Sequence, residues 1–374
     1  MSRFWSNQPV HGTVADLSAM NPSEPIRLPT GFEWITFSKD DDADMARVSA
    51  FLNAHYGTSE DGKFSSETDP SFVSWSFRHE DQPGDWIVGV RLVETDAIVA
   101  VVCAWPWKIR VDEEEHASAQ IGFLCVHPIL RNKRLAPVLI REITRRVVSR
   151  GCIRAVYTGH DDLPGRVTTM RKHVRVLRAD PLVKSGFWPL RPPMTSPRLQ
   201  RLNKLPDRAT IGDMVEPTET DTDAIVRFLN ERWSAYRVSP VATRAWVRHV
   251  FAHADSPIRC RIRKRADGTV TDLWSYYRKR THVTGPNSPV RAFDCAEGFY
   301  AFATSVDPVD LFRDAMTCAK AEGCALWVDT DAMHSKGVRD ALRMEPNPTM
   351  LHLFLYNWGA FEPVGPEQTA VVCW

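Results

Sequence analysis

An internal duplication constrains this chain more strongly than any other feature of its sequence. The run Leu-Ile-Arg-Glu that begins at Leu139 and the Gly-Cys pair at Gly151 recur, with the same spacing, as Leu-Phe-Arg-Asp from Leu311 and Gly-Cys from Gly323. Self-similarity at a fixed interval indicates that one structural unit is used twice. We therefore expect two related halves that fold in the same way.

Each copy shows the same order of predicted elements. An amphipathic helix containing Phe-Leu-Asn, at Phe51 in one copy and Phe228 in the other, precedes a hairpin, a further strand, a second helix and a closing strand. The second helix of copy one is predicted to begin at Leu135 and to stop at Gly151. A strand, helix, strand unit requires a right-handed crossover between parallel strands, whereas hairpins are antiparallel. The sequence therefore predicts an α/β (α+β) fold with a mixed sheet.

The composition narrows the class of protein. The 374 residues include 47 Lys and Arg against 46 Asp and Glu, and no apolar run approaches the roughly 18 residues of a membrane helix. Nearly balanced charge argues against nucleic-acid binding. Eight cysteines without a Cys-x-x-Cys pair suit free thiols in a reducing compartment. We expect a soluble, cytoplasmic monomer without bound metal, nucleic acid or stable membrane insertion.

A basic loop precedes the second helix of copy one. The loop Arg131–Arg134 carries three positive charges directly before the predicted helix start at Leu135. Backbone N–H groups at a helix N-terminus attract anions, so this loop suits a pyrophosphate. It resembles the Gly-containing loop with which acetyltransferase-like folds hold coenzyme A, except that Arg134 stands where most of them carry glycine.

The residues around this loop resemble the signature block of the glycylpeptide N-myristoyltransferases. The resemblance covers Phe123–His127 and the continuous stretch Leu130–Arg146. Supporting segments lie along nearly the whole chain, among them Leu28–Trp34, Ala155–Thr158 and Leu355–Trp358. The family is itself a duplicated acetyltransferase-like fold, which agrees with the repeat in this chain.

The resemblance implies an architecture. Two pseudo-symmetric halves of the acetyltransferase-like (GNAT) type would share a large mixed, saddle-shaped sheet flanked by helices. Residues 1–30 would form an arm over the acyl-CoA, residues 31–205 the half that binds myristoyl-CoA, and residues 206–374 the half that binds the peptide. The terminal carboxylate would return from the second half to the active site.

The resemblance also implies the reaction. A myristoyl group would move from myristoyl-CoA, the acyl donor, to the N-terminal glycine amine of a peptide or protein, with no prosthetic group. Phe123 and Leu124 would donate backbone N–H hydrogen bonds to the thioester oxygen. The terminal carboxylate of Trp374 would act as the base, and Thr158 would accept a hydrogen bond from the amine.

Two sets of binding residues follow from the same resemblance. Those implied for the acyl-CoA site are Arg3, Phe4, Trp5, Phe123, Leu124, Cys125, Val126, Arg131, Asn132, Lys133, Arg134, Leu135 and Ala136. Those implied for the acceptor site are Tyr56, Tyr157, Thr158 and Trp374.

Two departures from the family pattern leave other readings open. Gly122 stands where the family has an asparagine, and Arg343–Thr349, with two prolines, replaces a Gly-rich second signature. The sequence thus also allows an acyl-CoA-binding relative with weak transfer activity, or an acyltransferase for a lysine or a small amine. A nucleophilic pair of Cys125 and His127 is a further alternative, although a strand cysteine is more often a buried apolar side chain.

Overall fold

The structure is a computed structural model that describes residues 14, 24–59, 61–285, 288–333, 336–359 and 361–373. The predicted site residues Arg3, Phe4, Trp5 and Trp374 lie outside the described residues.

The secondary structure follows the duplication. Copy one consists of β1 (Phe32–Thr36), α1 (Asp42–His55), β2 (Phe64–Ser66), α2 (Pro70–Phe77), β3 (Ile87–Leu92), β4 (Ile98–Val111), β5 (Glu114–Val126), α3 (Leu135–Ser149), β6 (Ala155–Gly159) and β7 (Arg166–Val176). The connector contains α4 (Ala179–Lys184) and α5 (Ser196–Leu202). Copy two consists of β8 (Met214–Val215), α6 (Thr222–Trp233), β9 (Val238–Pro240), α7 (Arg244–Phe251), β10 (Ile258–Lys264), β11 (Val270–Val283), β12 (Ala292–Ala303), α8 (Pro308–Ala321), β13 (Leu326–Thr330), α9 (Lys336–Ala341) and β14 (Glu345–Tyr356).

Within the described residues the strands form one fourteen-stranded sheet. Its order from edge to edge is β1-β3-β4-β5-β6-β14-β7-β13-β12-β11-β10-β8, with β2 beside β11 and β9 beside β4. The pairs β5/β6 and β12/β13 are parallel, whereas the hairpins β3/β4 and β10/β11 are antiparallel. The predicted fold class, an α/β fold with a large mixed sheet flanked by helices, is confirmed.

The two copies exchange strands at the centre of this sheet. β14, the last strand of copy two, lies between β6 and β7 of copy one, and β7 lies between β14 and β13 of copy two. A second exchange is also reciprocal, because β2 pairs with β11 while β9 pairs with β4. Each half by sequence therefore contributes strands to the other half in space. The division of the chain at residue 205 stays a prediction.

The corresponding helices α3 and α8 are built as the sequence predicts. Their apolar stripes, which include Leu139 and Ile143 in α3 and Leu311 in α8, are buried against the strands of their own copies. Asp307 caps α8 by accepting from the Val309 N–H at 2.7 Å. Both helices stop before a glycine with positive φ, a conformation that favours glycine because it has no Cβ. α3, unlike α8, begins without a side-chain cap.

Candidate active site

A β-bulge at Phe123 and Leu124 interrupts strand β5. Cys125 pairs with Val101 of β4 and Gly122 pairs with Cys103. Phe123 and Leu124 therefore lie opposite a single β4 residue and have no register partner of their own. Pairing with β6 already ends at Ile121. Phe123 has a φ of 51°, in the left-handed region that non-glycine residues rarely adopt. Neither residue has a register partner in β4 or β6, which makes their backbone N–H groups the candidates for donating to a ligand.

Aromatic packing holds the bulge in this conformation. The buried ring of Phe123 makes edge contacts with Trp105 and Phe77, at centroid distances of 5.4 and 6.4 Å. Tyr56, at the end of α1, contacts the same ring edge-on at 6.1 Å. A strained backbone persists only where its surroundings fix it, and these rings provide that constraint. The two N–H groups are thus oriented before any ligand binds.

Strands β5 and β6 separate next to the bulge. They pair only over Ala119–Ile121, and β6 then continues to Gly159 alongside β14 alone. Ligands in α/β sheets bind where the carboxyl ends of neighbouring parallel strands part. The end of β5 with Phe123 and the end of β6 with Thr158 therefore bound a crevice.

The last described residues run beside Thr158. The Ala370 N–H donates to the Val238 carbonyl at 2.8 Å, and alternate side chains of residues 370–373 pack into two different apolar clusters. Burial raises the pKa of the Cys373 thiol to about 12, although a hydrogen bond with the neighbouring Thr158 hydroxyl lowers this pKa. The apolar end of the chain is therefore inserted between the halves, and its described part reaches the crevice.

The basic loop forms an open helix start. Asn132 and Arg134 have positive φ values of 67° and 63°, and Arg134 is the N-cap of α3 without a side-chain hydrogen bond. Left-handed residues in a short loop turn successive N–H groups to one side, as in backbone anion nests. Lys133 and Arg134 are exposed. The loop combines free helix-start N–H groups with positive charge, which suits a diphosphate.

Arg131 differs from its basic neighbours. Its Nε donates to the Val126 carbonyl at 3.1 Å, and its Nη2 donates to the His55 carbonyl at the end of α1 at 2.7 Å. The side chain thus ties the loop to α1. The other predicted acyl-CoA residues next to the loop are buried or half-buried, and they are Cys125, Val126, Leu135 and Ala136.

Sequence reasoning missed the residues that anchor α3. The fully buried Glu142 accepts from Arg145 at 2.6 Å and from Arg146 at 2.8 Å, and also from the Ile26 N–H at 3.1 Å. Arg146 continues to the Thr36 hydroxyl at 2.7 Å. These contacts fix the helix whose start holds the basic loop. The spacing of Glu142 with arginines three and four residues later is the signal that could have found them.

Gly122, the departure in the signature block, is required by a neighbouring ring. A Cβ at Gly122 would lie 2.9 Å from Trp105 Cζ3. Trp105 is itself fixed, because its ring stacks on Phe77 at 4.8 Å and its Nε1 donates to the Ser76 carbonyl at 2.9 Å. The indole therefore fills the space next to Gly122, and the missing asparagine leaves no gap.

The two predicted tyrosines are placed differently. Tyr56 lies next to Phe123 and is 40% exposed. Tyr157 stacks on Phe354 at 4.9 Å and packs near Val148 of α3. Because successive strand residues point to opposite faces, Tyr157 and Thr158 do not share a face. The structure brings Tyr56 and Thr158 to the crevice and places Tyr157 on the α3 side.

The second departure, Arg343–Thr349, comprises the two residues before β14 and the first residues of that strand. Its register with β7 shifts between Pro346 and Met350, and the Thr349 N–H donates to Asn347 Oδ1 at 2.8 Å. The prolines thus lie in an irregular, bulged stretch, where a missing N–H donor costs little.

Cys125 has the properties of a core residue. It is 3% exposed, and burial raises the pKa of its thiol to about 11, although the positive charge of Arg131 lowers this pKa. A thiol must lose its proton to act as a nucleophile. The geometry therefore does not favour the covalent pair with His127.

Copy two carries its own anion at the position that corresponds to the basic loop. The loop between β12 and α8 donates the N–H groups of Thr304 and Ser305 to the fully buried carboxylate of Asp272, at 2.8 and 2.9 Å. The hydroxyl of Thr271 donates to the same carboxylate at 2.8 Å. In copy two, the carboxylate of Asp272 thus already occupies the anion site before the helix, whereas the corresponding site of copy one is open.

A cleft of about 410 Å³ opens beside the bulge. Tyr56, Phe123 and Tyr277 are among its aromatic lining residues, and its charged lining includes residues 278–280 of β11 together with Glu67, Asp69, Arg259 and Asp294. Burial raises the pKa of Tyr277, and the nearby Glu297 carboxylate and Cys373 thiol raise it further, so Cys373 lies near this residue. The cleft therefore joins the bulge to the surface, and its lining residue Tyr277 lies near Cys373.

Two absences are limited to the described part of the chain. None of its helices combines the length and apolar character needed to cross a membrane. It also brings together no group of three or more His, Cys, Asp or Glu side chains able to hold a metal ion.

Comparison with known families agrees with this geometry. Residues 14–170 match the model of the N-terminal domain of myristoyl-CoA:protein N-myristoyltransferase, and residues 184–371 match the model of its C-terminal domain.

Individual proteins give the same result. The chain is 32% identical over 381 residues to the glycylpeptide N-tetradecanoyltransferase of Drosophila melanogaster, covering 99% of this chain and 80% of that one. It is 31% identical to glycylpeptide N-tetradecanoyltransferase 2 of Danio rerio, covering 99% and 77%. Among solved structures, Saccharomyces cerevisiae N-myristoyltransferase with bound myristoyl-CoA superposes with a TM-score of 0.89 at 26% identity, over 97% of this chain and 94% of that chain.

Proposed function

This chain belongs to the myristoyl-CoA:protein N-myristoyltransferase family, and we propose which of its residues carry out the reaction. It transfers a myristoyl group from myristoyl-CoA to the N-terminal glycine amine of a protein or peptide. The alternative of an altered acceptor is not favoured, because relatives that cover nearly the whole chain are glycylpeptide enzymes.

The bulge at Phe123 and Leu124 is the observation that carries the assignment of roles. In the transfer, the amine nitrogen attacks the thioester carbon, the carbonyl oxygen gains negative charge, and the C–S bond then breaks to release CoA as its thiolate. Two fixed N–H donors stabilise that oxygen most when its charge is largest, which lowers the barrier. The amides of the two bulged residues, at the open end of β5, are suited to this role.

The base is proposed to be the terminal carboxylate of Trp374. An ammonium group cannot attack until it loses a proton, and a carboxylate held against it can accept that proton and position the nitrogen. Support comes from the preceding residue, because Cys373 lies beside Thr158 at the crevice. Thr158 is proposed to accept a hydrogen bond from the amine.

The diphosphate of CoA is proposed to bind at residues 131–134 and the start of α3. The left-handed residues Asn132 and Arg134 and the uncapped helix start support this role. Arg131 would act by holding the loop against α1, because its guanidinium already donates to two carbonyls. Phe4 and Trp5 are proposed to cover the coenzyme.

Labelled myristoyl-CoA and a peptide that begins Gly-Ser test the reaction. We expect acylated peptide and free CoA thiol, and binding of acyl-CoA without either product would contradict the function. Residues appended after Trp374, or deletion of Cys373 and Trp374, should abolish transfer and leave acyl-CoA affinity unchanged. Transfer that survives both changes would remove the terminal carboxylate from the mechanism.

The diphosphate site has its own test. Arg134→Ala should weaken acyl-CoA binding by about 1 to 3 kcal/mol if the side chain meets a phosphate. Arg150→Ala, at the opposite end of α3 where Arg150 pairs with Asp85, is the matched control and should bind acyl-CoA normally. Equal affinity of the two variants would contradict the role of Arg134.

We further propose that the protein works as a cytoplasmic monomer. All eight cysteines are free, which suits a reducing compartment. Light scattering and cell fractionation test these two statements.

A further inference from the structure

Positive charge is concentrated in the connector between the two copies. Residues 178–208 contain seven Lys and Arg against two Asp, whereas the whole chain has 47 basic and 46 acidic residues. Of these seven cations, only Lys184 forms an ion pair within the described residues, with Asp180 at 2.9 Å. An imbalance of this size in one segment creates a surface that attracts anions.

Four cations surround one recess of about 620 Å³ on this surface. The four are Arg178 before α4, Arg201 in α5, Lys204 just after α5 and Lys320 in α8. Within the described chain none of them forms an ion pair with a carboxylate. The acidic residue that lines the recess, Asp180, is bound by Lys184 at 2.9 Å and by the Ser196 hydroxyl at 2.6 Å. The recess therefore carries an excess of positive charge.

Hydrogen bonds hold the walls of the recess in place. Arg178 Nη1 donates to the Gly323 carbonyl, just after α8, at 3.1 Å. Gln200 of α5 accepts from the Ala179 N–H at 2.8 Å and donates to the Leu177 carbonyl at 3.1 Å. These bonds tie α5 to the start of α4, so the cations of the two helices keep their spacing. A fixed set of charges binds an anion without the cost of ordering its own backbone.

Two further arginines lie next to the end of α5. Arg343 Nη1 donates to the Leu202 carbonyl, the last of this helix, at 2.5 Å. Arg175 is 6% exposed and donates to the Leu342 carbonyl, and its Nε has no hydrogen-bond partner in the described residues. Burial lowers the pKa of Arg175 to about 10, and the positive charge of Arg343 lowers it further. These arginines add positive charge to this side of the protein.

The lining of the recess indicates the class of ligand. Among the described residues it includes no aromatic side chain, so the bases of a nucleic acid would have no surface on which to stack. One phosphate group brings nearly two negative charges and three acceptor oxygens, so about two or three such groups balance four cations within a small volume. A peptide would need four acidic side chains to do the same.

We propose that this recess binds a compact ligand with several phosphate groups, either a free inositol phosphate or the headgroup of a phosphoinositide lipid. Arg178 and Arg201 donate to phosphate oxygens through their planar forks, and the two lysines add point charges. The recess is separate from the proposed coenzyme site, because its lining includes no residue of the loop 131–134 or of α3. Binding here does not depend on the proposed transfer reaction.

Calorimetric titration with inositol trisphosphate tests the site. The protein is first saturated with myristoyl-CoA, so that the phosphate groups of the coenzyme already occupy their own site. We expect saturable binding of one inositol trisphosphate per chain. The affinity should fall as salt is raised, because ions screen exposed charges.

Matched double variants locate the binding. Arg201→Gln combined with Lys204→Gln should weaken the binding of inositol trisphosphate about tenfold. Arg191→Gln combined with Arg198→Gln is the control, because it removes the same charge from exposed side chains of the same connector that do not line the recess. The control should bind nearly as tightly as the parent, and both variants should keep its melting temperature. Equal losses in the two double variants would overturn the recess as the site.

Vesicles distinguish the two sources of the phosphate groups. Sedimentation compares vesicles of phosphatidylcholine with vesicles that also contain phosphatidylinositol bisphosphate, or phosphatidylserine at the same total charge. Capture by the phosphoinositide vesicles alone, lost in the Arg201 and Lys204 double variant, identifies a lipid headgroup. Binding of inositol trisphosphate without capture by any vesicle identifies a free inositol phosphate. Failure of inositol trisphosphate and of phosphoinositide vesicles to bind, or equal capture by phosphatidylserine vesicles, would overturn the proposal.

Discussion

The indole of Trp105 occupies the space where a side chain at position 122 would lie, so only glycine fits at this position without a clash. We expect Gly122→Ala to destabilise the protein by about 1 to 3 kcal/mol, because the new Cβ would lie 2.9 Å from the indole. Thermal unfolding measures the effect. Gly84→Ala, at a glycine whose Cβ would meet nothing within 4 Å, serves as the control. Equal melting temperatures for the two variants would show that the indole moves aside freely.

A second single residue, Asp329, should make the stability of the folded protein depend on pH. Burial raises its pKa to about 7, so the folded protein holds a proton that the unfolded chain has released. Stability contributed by this protonated carboxyl is therefore present at low pH and is lost as pH rises from about 4 towards 7.

Asp329→Asn should remove this loss. We expect the melting temperature of the variant, relative to the parent, to rise between pH 4 and pH 7 and then stay constant. Asp340→Asn, at a side chain with 65% exposure, should show no such trend. A constant difference for Asp329→Asn over this range would contradict the raised pKa.

Individual residues also show what the sequence could reveal of the site. A motif predicts the roles of Phe123 and Leu124, and the structure places both residues in a bulge of β5. Their left-handed backbone and the direction of the Arg131 side chain depend on contacts with α1 and with Trp105, which are distant in sequence. Residue type alone does not specify such contacts.

At the scale of elements, Asp272 distinguishes the two copies. Asp272→Asn should destabilise the protein by about 2 to 4 kcal/mol, because an amide nitrogen would face donors from Thr304, Ser305 and Thr271 in a buried site. Chemical denaturation measures the change. Asp267→Asn, in an exposed turn where one N–H is bound, should cost much less. Equal losses would show that Asp272 is not the main anchor of its loop.

Elements with strong local patterns were predicted correctly. The hairpin strands, α3 and α8 were found because their periodicity, caps and glycine stops are local signals. The three-residue strands β2 and β9 were missed because so short a stretch has no recognisable period. Their partners lie in the opposite copy.

At the scale of the whole molecule, the exchanged strands make the halves interdependent. We expect residues 1–205 and 206–374, produced separately, not to fold stably, because each would lack a strand at the centre of its sheet. Far-UV circular dichroism and hydrogen exchange measure this. Co-production of the two fragments should restore the fold. Cooperative unfolding of either fragment alone would show that the halves are independent domains.

The duplication predicted two similar halves but not how they join. Hydrophobic patterning identifies a strand and its buried face, whereas the neighbours of β7 and β14 are chosen by long-range pairing. The mixed sheet was therefore predictable, and the crossing of its central strands was not.

The reciprocal exchange of β7 and β14 between the two copies bears on the ancestry of the fold. A single-copy precursor with this topology would have had no partner for its final strand within its own chain. Two identical subunits related by a twofold axis would each have lent that strand to the other, as in domain-swapped dimers.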